Sequence, residues 1–210
     1  SCSVVSRCLA FVFLLLRRHA RSTLGISSGA SDCDKRHGSF DPPHLGHVRV
    51  PKEAMDFLSF DKVVFVPAFQ SPLKDRIPTA SVHRIAMLNL AVQGLDWAEI
   101  SEMEFEREGT SFTIDSIEAL LGTYNSIRLL IGADQWEQFE RWHRWEDITR
   151  LAKPAIMPRV GYDSPVEHTL PIAPLACAST EIRKYIASRN NPNAFLHPGV
   201  AKYIAEHNLY

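Results

Sequence analysis

The chain has 210 residues, of which 45% are hydrophobic and 22% are charged, and its formal net charge is -1. This composition is typical of a globular domain with a substantial core and excludes a chain that is disordered throughout. The nearly neutral charge argues against general nucleic-acid binding, which normally requires a strong basic excess. Binding of small charged ligands is compatible with this composition.

The first 36 residues differ from the rest in charge, with six basic and two acidic side chains against 17 and 22 in residues 37–210. Residues 9–16 form an apolar run flanked by arginines. The run is too short to span a bilayer, which takes about 20 residues. A targeting peptide and a mistranslated leader explain this pattern equally well. We expect residues 1–36 to be an atypical leader and residues 37–210 to be the functional domain, without stable membrane association.

The chain has four cysteines, and no two of them form a C-x-x-C pair. Three lie in or near the leader, so we expect neither a disulfide scaffold nor a closed zinc site, which needs about four ligands. A reducing compartment such as the cytoplasm fits best. Organellar delivery by residues 1–36 remains open.

A turn rich in glycine, proline and histidine occupies residues 38–47, G-S-F-D-P-P-H-L-G-H. Gly38 and Gly46 would let backbone N–H groups approach an anion closely, beside the start of a helix. His44 and His47 are three residues apart, so both rings would lie on one face of that helix and could reach one triphosphate. The alternatives are an ordinary loop and half of a metal site.

The chain after this turn alternates between helical and strand-like patterns. Residues 48–60 have the spacing of a helix, with Pro51 early in it, and residues 61–66 are an apolar run typical of a buried strand. Residues 69–78 form a polar loop that contains Lys74. We expect this loop at the carboxyl end of the strand, where ligands bind in open parallel sheets.

The same alternation continues further along the chain. Helices are predicted over residues 81–93 and 111–121, and strands over residues 97–105 and 126–131. The last strand runs directly into Gly132-Ala133-Asp134, which indicates a turn that faces a ligand. Together these elements predict an α/β fold, a three-layer Rossmann-like domain with a mostly parallel sheet.

Aromatic and anion-binding signals follow in the last third of the chain. Residues 135–151 contain three tryptophans, Trp136, Trp142 and Trp145, which usually pack in the core. Residues 158–174 indicate a loop and a short strand. Residues 179–183, S-T-E-I-R, begin a capped helix that presents Arg183 one turn in. After a strand and loop of this fold, such a helix start is a second anion clamp.

Together these motifs resemble the nucleotidyltransferase superfamily with its G-x-F-D-P-x-H-x-G-H signature, and within it the bacterial-type nicotinate-mononucleotide adenylyltransferases. Matching segments follow one another to the end of the sequence at residues 63–74, 83–84, 107–115, 131–134, 179–183 and 203–210. The resemblance implies an enzyme of NAD biosynthesis that joins ATP and nicotinate mononucleotide into deamido-NAD and pyrophosphate. It implies Mg2+ as a cofactor bound with the ATP phosphates, and it leaves a homo-oligomer open.

The resemblance also implies site residues. Those implied to act on the reacting phosphates are His44, His47, Lys74 and Arg183. Those implied to bind ATP are Gly38, Ser39, Phe40, Gly46, Gly132, Asp134, Ser179 and Thr180. Nicotinate mononucleotide would contact Thr113 and Trp142, whose indole would stack on the pyridinium ring with about 1 kcal/mol or more of cation–π attraction. No side chain is assigned to the metal.

The sequence departs from the family before Gly38. In the family a hydrophobic strand runs straight into the first glycine, whereas here the polar residues 31–37 precede it, and a polar run cannot be a central parallel strand. Residues 24–26 resemble the end of that strand, eleven residues before Gly38. Either a loop is inserted there or the first strand is missing. Another adenylyl- or cytidylyltransferase and a non-catalytic nucleotide-binding protein are therefore alternatives.

Overall fold

The computed structural model describes residues 13–17, 39–67, 79–106, 112–174 and 178–210, and within residues 13–17 only the side chain of Leu15. A five-stranded sheet in the order β3-β2-β1-β4-β5 forms its centre. The strands are β1 (Phe13–Arg17), β2 (Lys62–Phe65), β3 (Ala98–Ile100), β4 (Ser126–Gly132) and β5 (Ala155–Met157).

Four of these five strands point the same way. β2 pairs with β3 and β4 pairs with β5 in parallel, whereas β1 is antiparallel to both β2 and β4. In β1, Leu15 lies opposite Val63 on one side and Arg128 on the other. The second half of the apolar run, from Phe13 onward, therefore supplies the central strand, in the direction opposite to its neighbours.

Along the chain, helices follow each of the strands. They are α1 (Leu45–Leu58), α2 (Ser81–Val92), α3 (Met103–Glu106), α4 (Thr113–Leu121), α5 (Ala133–Trp136), α6 (Trp145–Ala152), α7 (Ser179–Ala187) and α8 (Pro198–Glu206), with 3-10 turns at Phe139–Arg141 and Pro192–Ala194. The helices predicted over residues 48–60, 81–93 and 111–121 are confirmed as α1, α2 and α4. Among the described residues, no helix has the length and the hydropathy that crossing a bilayer requires.

Apolar side chains of the strands pack on both faces of the sheet. Val63 and Phe65 pack with Leu15 and α1 on one face, and Val64 and Val66 pack with α4 and α6 on the other. This distribution follows from the alternation of side chains along a strand. A third cluster joins α2, α7 and α8. The prediction of a three-layer α/β domain with a mostly parallel sheet is confirmed.

One predicted strand differs from the structure, and one short strand was missed. The strand expected over residues 97–105 ends at Ile100 and is followed by α3. The Ser101 N–H still donates to the Phe65 carbonyl, but the neighbouring strand runs into Pro67, which has no N–H to continue a ladder. β5 was not predicted, because three residues carry too little periodicity. Residues 24–26, 31–37 and 69–78 lie outside the described residues.

Candidate active site

His44 and His47 lie side by side at the start of α1. Their ring centroids are 3.5 Å apart with an interplanar angle of 25°, and each residue is 1% exposed. The His44 backbone N–H donates to Nδ1 of His47 at 3.0 Å. A neutral His47 therefore carries its ring proton on Nε2. The two rings lie on one face of the helix, as the three-residue spacing predicted, and they are also stacked on each other.

Both imidazoles are uncharged at neutral pH. Burial and the nearby Arg159 guanidinium lower the pKa of His44 to about 3. Burial, His44 and Arg159 lower the pKa of His47 well below its ordinary value. His47 can therefore donate a hydrogen bond from Nε2 to a phosphate oxygen while it remains neutral.

The start of α7 is attached to the turn of residues 39–43, which precedes the histidines. Arg183 Nη1 donates to the Asp41 carbonyl at 2.5 Å, and its Nη2 donates to the Thr180 hydroxyl at 3.1 Å. The buried Ser179 hydroxyl donates to the Pro42 carbonyl at 2.9 Å. The two segments predicted to bind anions, far apart in the sequence, thus meet at one turn.

Phe40 shapes this turn. Its φ of 45° lies in the left-handed region, a conformation that is strained for a bulky residue and costs on the order of 1–3 kcal/mol. The side chain is fully buried and its ring packs against His47 and Phe65, at centroid distances of 5.3 and 6.0 Å. Packing against the end of β2 holds the strained backbone in place.

A buried ion pair lies at the carboxyl end of β4. Arg159 Nε is 3.0 Å from Asp134 Oδ1, and the Asp134 side chain is 0% exposed. A Cβ at Gly132 would clash with the same carboxylate oxygen, so a side chain there would have to displace Asp134 from its ion pair. The charge of Arg159 thus acts both on Asp134 and, by lowering their pKa, on the two histidines.

Sequence reasoning did not find Arg159. A single arginine in the loop after a three-residue strand shows no pattern, and only the fold brings it beside Asp134. The predicted contact of Asp134 with ribose hydroxyls stays a prediction, since Arg159 holds that carboxylate in this structure.

The residues predicted to bind nicotinate lie in adjoining segments. Thr113 is buried in the first turn of α4, and its neighbour Phe112 packs on His143 with ring centroids 4.5 Å apart. Trp142, next to His143, is 3% exposed and packs against Phe139. Its Nε1 is buried without a hydrogen-bond partner among the described residues. Trp142 is thus a core residue here, and its stacking role stays a prediction.

The remaining candidates are easily placed. Ser39 is buried beside Phe40, and Gly46 lies in the first turn of α1. Gly38 and Lys74 fall outside the described residues. Within the described part of the chain, no group of three or more His, Cys, Asp or Glu side chains lies together as a metal site.

Comparison with known families and proteins gives consistent results. Residues 37–185 match the family described as cytidylyltransferase-like. A protein of Bordetella pertussis named "Probable nicotinate-nucleotide adenylyltransferase" is 34% identical over 187 residues, covering 82% of this chain and 94% of the relative. A protein of Oceanobacillus iheyensis with the same name is 31% identical, covering 82% of this chain and 93% of the relative.

The fold is also found among solved structures. The nicotinic acid mononucleotide adenylyltransferase of Plasmodium falciparum, complexed with NaAD, superposes with a TM-score of 0.67 at 19% identity, covering 82% of this chain and 94% of the other. The same enzyme complexed with APC gives the same TM-score. At this identity the likeness concerns the fold.

Proposed function

The chain belongs to the cytidylyltransferase-like family and groups within it with the nicotinate-nucleotide adenylyltransferases, and we propose that it transfers the adenylyl group of ATP to nicotinate mononucleotide. The products would be deamido-NAD and pyrophosphate, a step of NAD biosynthesis. The observation that carries this proposal is the attachment of α7, through Arg183 and Ser179, to the turn that leads into the stacked histidines.

For this reaction the protein has to position the two substrates and to stabilise negative charge on their phosphates. The phosphate of nicotinate mononucleotide is already an oxyanion, so it needs no general base to attack the α-phosphorus of ATP. A new P–O bond forms there as the bond to the β-phosphate breaks and pyrophosphate leaves. Catalysis therefore consists of bringing two polyanions into line and stabilising charge on the transferred and leaving groups.

The side chains at the turn suit that task. Nε2–H of His47 would donate a hydrogen bond to the α-phosphoryl group. Because the ring is neutral, it can bind this anion without a positive charge being buried in the core. Arg183 and the Thr180 hydroxyl, at the start of α7, would bind the β- and γ-phosphates. The Ser179 hydroxyl would have to leave the Pro42 carbonyl to join them. Lys74 is proposed as a cation near the same phosphates.

Mg2+ is proposed to enter with ATP as part of the substrate. Nucleotide enzymes bind Mg2+ largely through phosphate oxygens and water rather than through an all-protein cage. Bound there, the ion would neutralise charge on the leaving pyrophosphate.

The acceptor is proposed to bind between the start of α4 and the segment that carries Trp142. The contact of Phe112 with His143 joins these two segments, which supports a common site for Thr113 and Trp142. Stacking on the pyridinium would require the Trp142 indole to leave its buried position. The Nε1 atom without a partner favours such a movement, since an unsatisfied buried N–H costs about 1–3 kcal/mol.

A pyrophosphate-release assay with MgATP and three acceptors tests the proposal. We expect turnover with nicotinate mononucleotide, less with nicotinamide mononucleotide and none with phosphopantetheine. Turnover with phosphopantetheine alone would assign the chain to a different adenylyltransferase. ATP binding without pyrophosphate release from any acceptor would support a non-catalytic nucleotide-binding protein.

A further inference from the structure

The carboxylate of Asp41, in the turn before His44, is held by residues from distant parts of the chain. The Tyr210 hydroxyl donates to Oδ1 at 2.5 Å, and the Thr79 backbone N–H lies 3.4 Å from Oδ2. Asp41 itself is buried. A hydrogen bond to an ionised carboxylate is shorter and stronger than one between neutral groups. Tyr210 is therefore a principal support of this side chain.

The backbone of the same turn is held by a buried arginine. Arg84 donates from Nη1 to the Ser39 carbonyl at 3.2 Å and from Nε to the Thr79 carbonyl at 2.8 Å. The carbonyl and N–H of one trans peptide point in opposite directions. The bond to the Ser39 carbonyl thus directs the Phe40 N–H away from Arg84. That N–H is one of the donors predicted for ATP.

Tyr210 is suited to be a permanent donor. Burial first, and then the charge of Asp41, raise the pKa of its hydroxyl above its ordinary value, so the phenol keeps its proton under assay conditions. Its ring packs against the cluster formed by α2, α7 and α8. This packing fixes the hydroxyl relative to α7, which also holds the turn through Arg183.

We propose that Tyr210 is a positioning residue, which holds Asp41 and through it the turn of residues 39–43 in the conformation that receives the phosphates of ATP. The inference rests on the proposed function, because only that function makes the turn of residues 39–43 a binding site for ATP. Tyr210 touches neither nucleotide in this role. It acts on the geometry of the Phe40 N–H and on the start of α1.

The test compares Tyr210→Phe with Tyr203→Phe. Tyr203 lies on α8 and its hydroxyl is 3.0 Å from Nδ1 of His83, so its partner is not the Asp41 carboxylate. Both variants lose one hydroxyl and keep the ring. We expect Tyr210→Phe to raise the Kd and KM for ATP by roughly tenfold, the loss expected for one hydrogen bond to a charged group. The KM for nicotinate mononucleotide and all constants of Tyr203→Phe should change by less than about twofold.

A double-mutant cycle with Asp41→Asn shows whether Tyr210 acts through Asp41. In the Asp41→Asn background, Tyr210→Phe should add less than about twofold to the Kd for ATP. A Tyr210→Phe protein with a lower Tm but an unchanged Kd for ATP would mean a purely structural role and would overturn the proposal, as would fully additive effects. If the unmodified chain binds ATP but releases no pyrophosphate, the proposed function fails, and the ATP Kd series still decides the role of Tyr210.

Discussion

At the scale of the residue, the site depends on which atom of His47 carries the proton. Nδ1 accepts a hydrogen bond from the His44 N–H, which leaves the proton on Nε2. Two tasks of one ring can therefore be separated, since Nδ1 caps α1 and Nε2 is the donor proposed for the phosphate. Asparagine and glutamine imitate these two atoms separately.

We predict that His47→Asn keeps the stability of the protein and loses most turnover. Its Oδ1 can replace Nδ1 as the cap, but nothing replaces Nε2. His47→Gln, whose amide nitrogen reaches the position of Nε2, should recover part of kcat. The loss in His47→Asn should be on the order of 100-fold or more, the usual effect of removing a donor to the transition state. Equal kcat values in His47→Asn and the unmodified chain would exclude the role of Nε2.

The Asp134–Arg159 pair gives a second prediction at the residue scale. Arg159→Gln removes the ion pair of a carboxylate that is 0% exposed, so we expect the free energy of unfolding at pH 7.5 to fall by about 3 kcal/mol. The matched control is Arg150→Gln, because Arg150 is 67% exposed and pairs with Asp147 at the surface. That change should cost less than about 1 kcal/mol. Urea denaturation measures both, and equal costs would contradict a strong buried pair.

At the scale of the element, the helices α1, α4 and α5 begin in the same way. In α1, α4 and α5 the third helical residue accepts a hydrogen bond from the backbone N–H before the helix, at 3.0 Å in each case, through His47, Asp115 and Gln135. This is half of a capping box. This hydrogen bond satisfies the backbone N–H of the residue before the helix and fixes the side chain of the third helical residue. Each of these helices therefore begins at a defined position.

β1 is the element that sequence reasoning interpreted differently, as part of a leader. Its Leu15 side chain is fully buried in the core beside Val63. We predict that Leu15→Ala lowers the free energy of unfolding by about 2–5 kcal/mol, the usual cost of such a truncation in a core. The exposed Val82→Ala on α2 should change it by less than about 0.5 kcal/mol.

The measurement is urea denaturation of the full chain. A Leu15→Ala protein as stable as Val82→Ala would place residues 13–17 outside the folded domain and support a dispensable leader. β1 belongs to residues 1–36 and yet lies inside the sheet. The boundary at residue 37 between a leader and the functional domain therefore stays a prediction.

At the scale of the whole molecule, the buried histidines make stability depend on pH. Each has a folded-state pKa below its unfolded value of 6.5, that of His44 being about 3. Below pH 6.5 the unfolded chain therefore binds protons that the folded chain does not. The free energy of unfolding consequently decreases as the pH is lowered. Well above pH 6.5 these two groups contribute no pH dependence.

We predict that the ligand-free protein loses about 2 kcal/mol of stability per buried ring between pH 7.5 and pH 5.0. His44→Gln should reduce this loss by the share of one ring, whereas Val82→Ala, which truncates an exposed side chain and removes no titratable group, should leave it unchanged. Denaturant unfolding at the two pH values provides the measurement. A loss in His44→Gln as large as in the unmodified chain would mean that His44 is not buried as a neutral ring.

Local signals in the sequence determined much of this molecule. Apolar runs predicted β2 and β4, helical spacing predicted α1, α2 and α4, and the glycine and acid after β4 marked the place of Asp134. The spacing of His44 and His47 predicted their common face. All of these depend on neighbours within a few residues, which a sequence displays directly.

The tertiary structure alone decided the rest. It placed Arg159 against Asp134, brought Tyr210 and Arg84 to one turn, and buried Trp142 where the sequence predicted a ligand contact. It also inserted β1 antiparallel between two parallel strands. These features depend on contacts between residues far apart in the chain. Pairing, burial and desolvation arise only when the layers pack, so no local pattern of residue types encodes them.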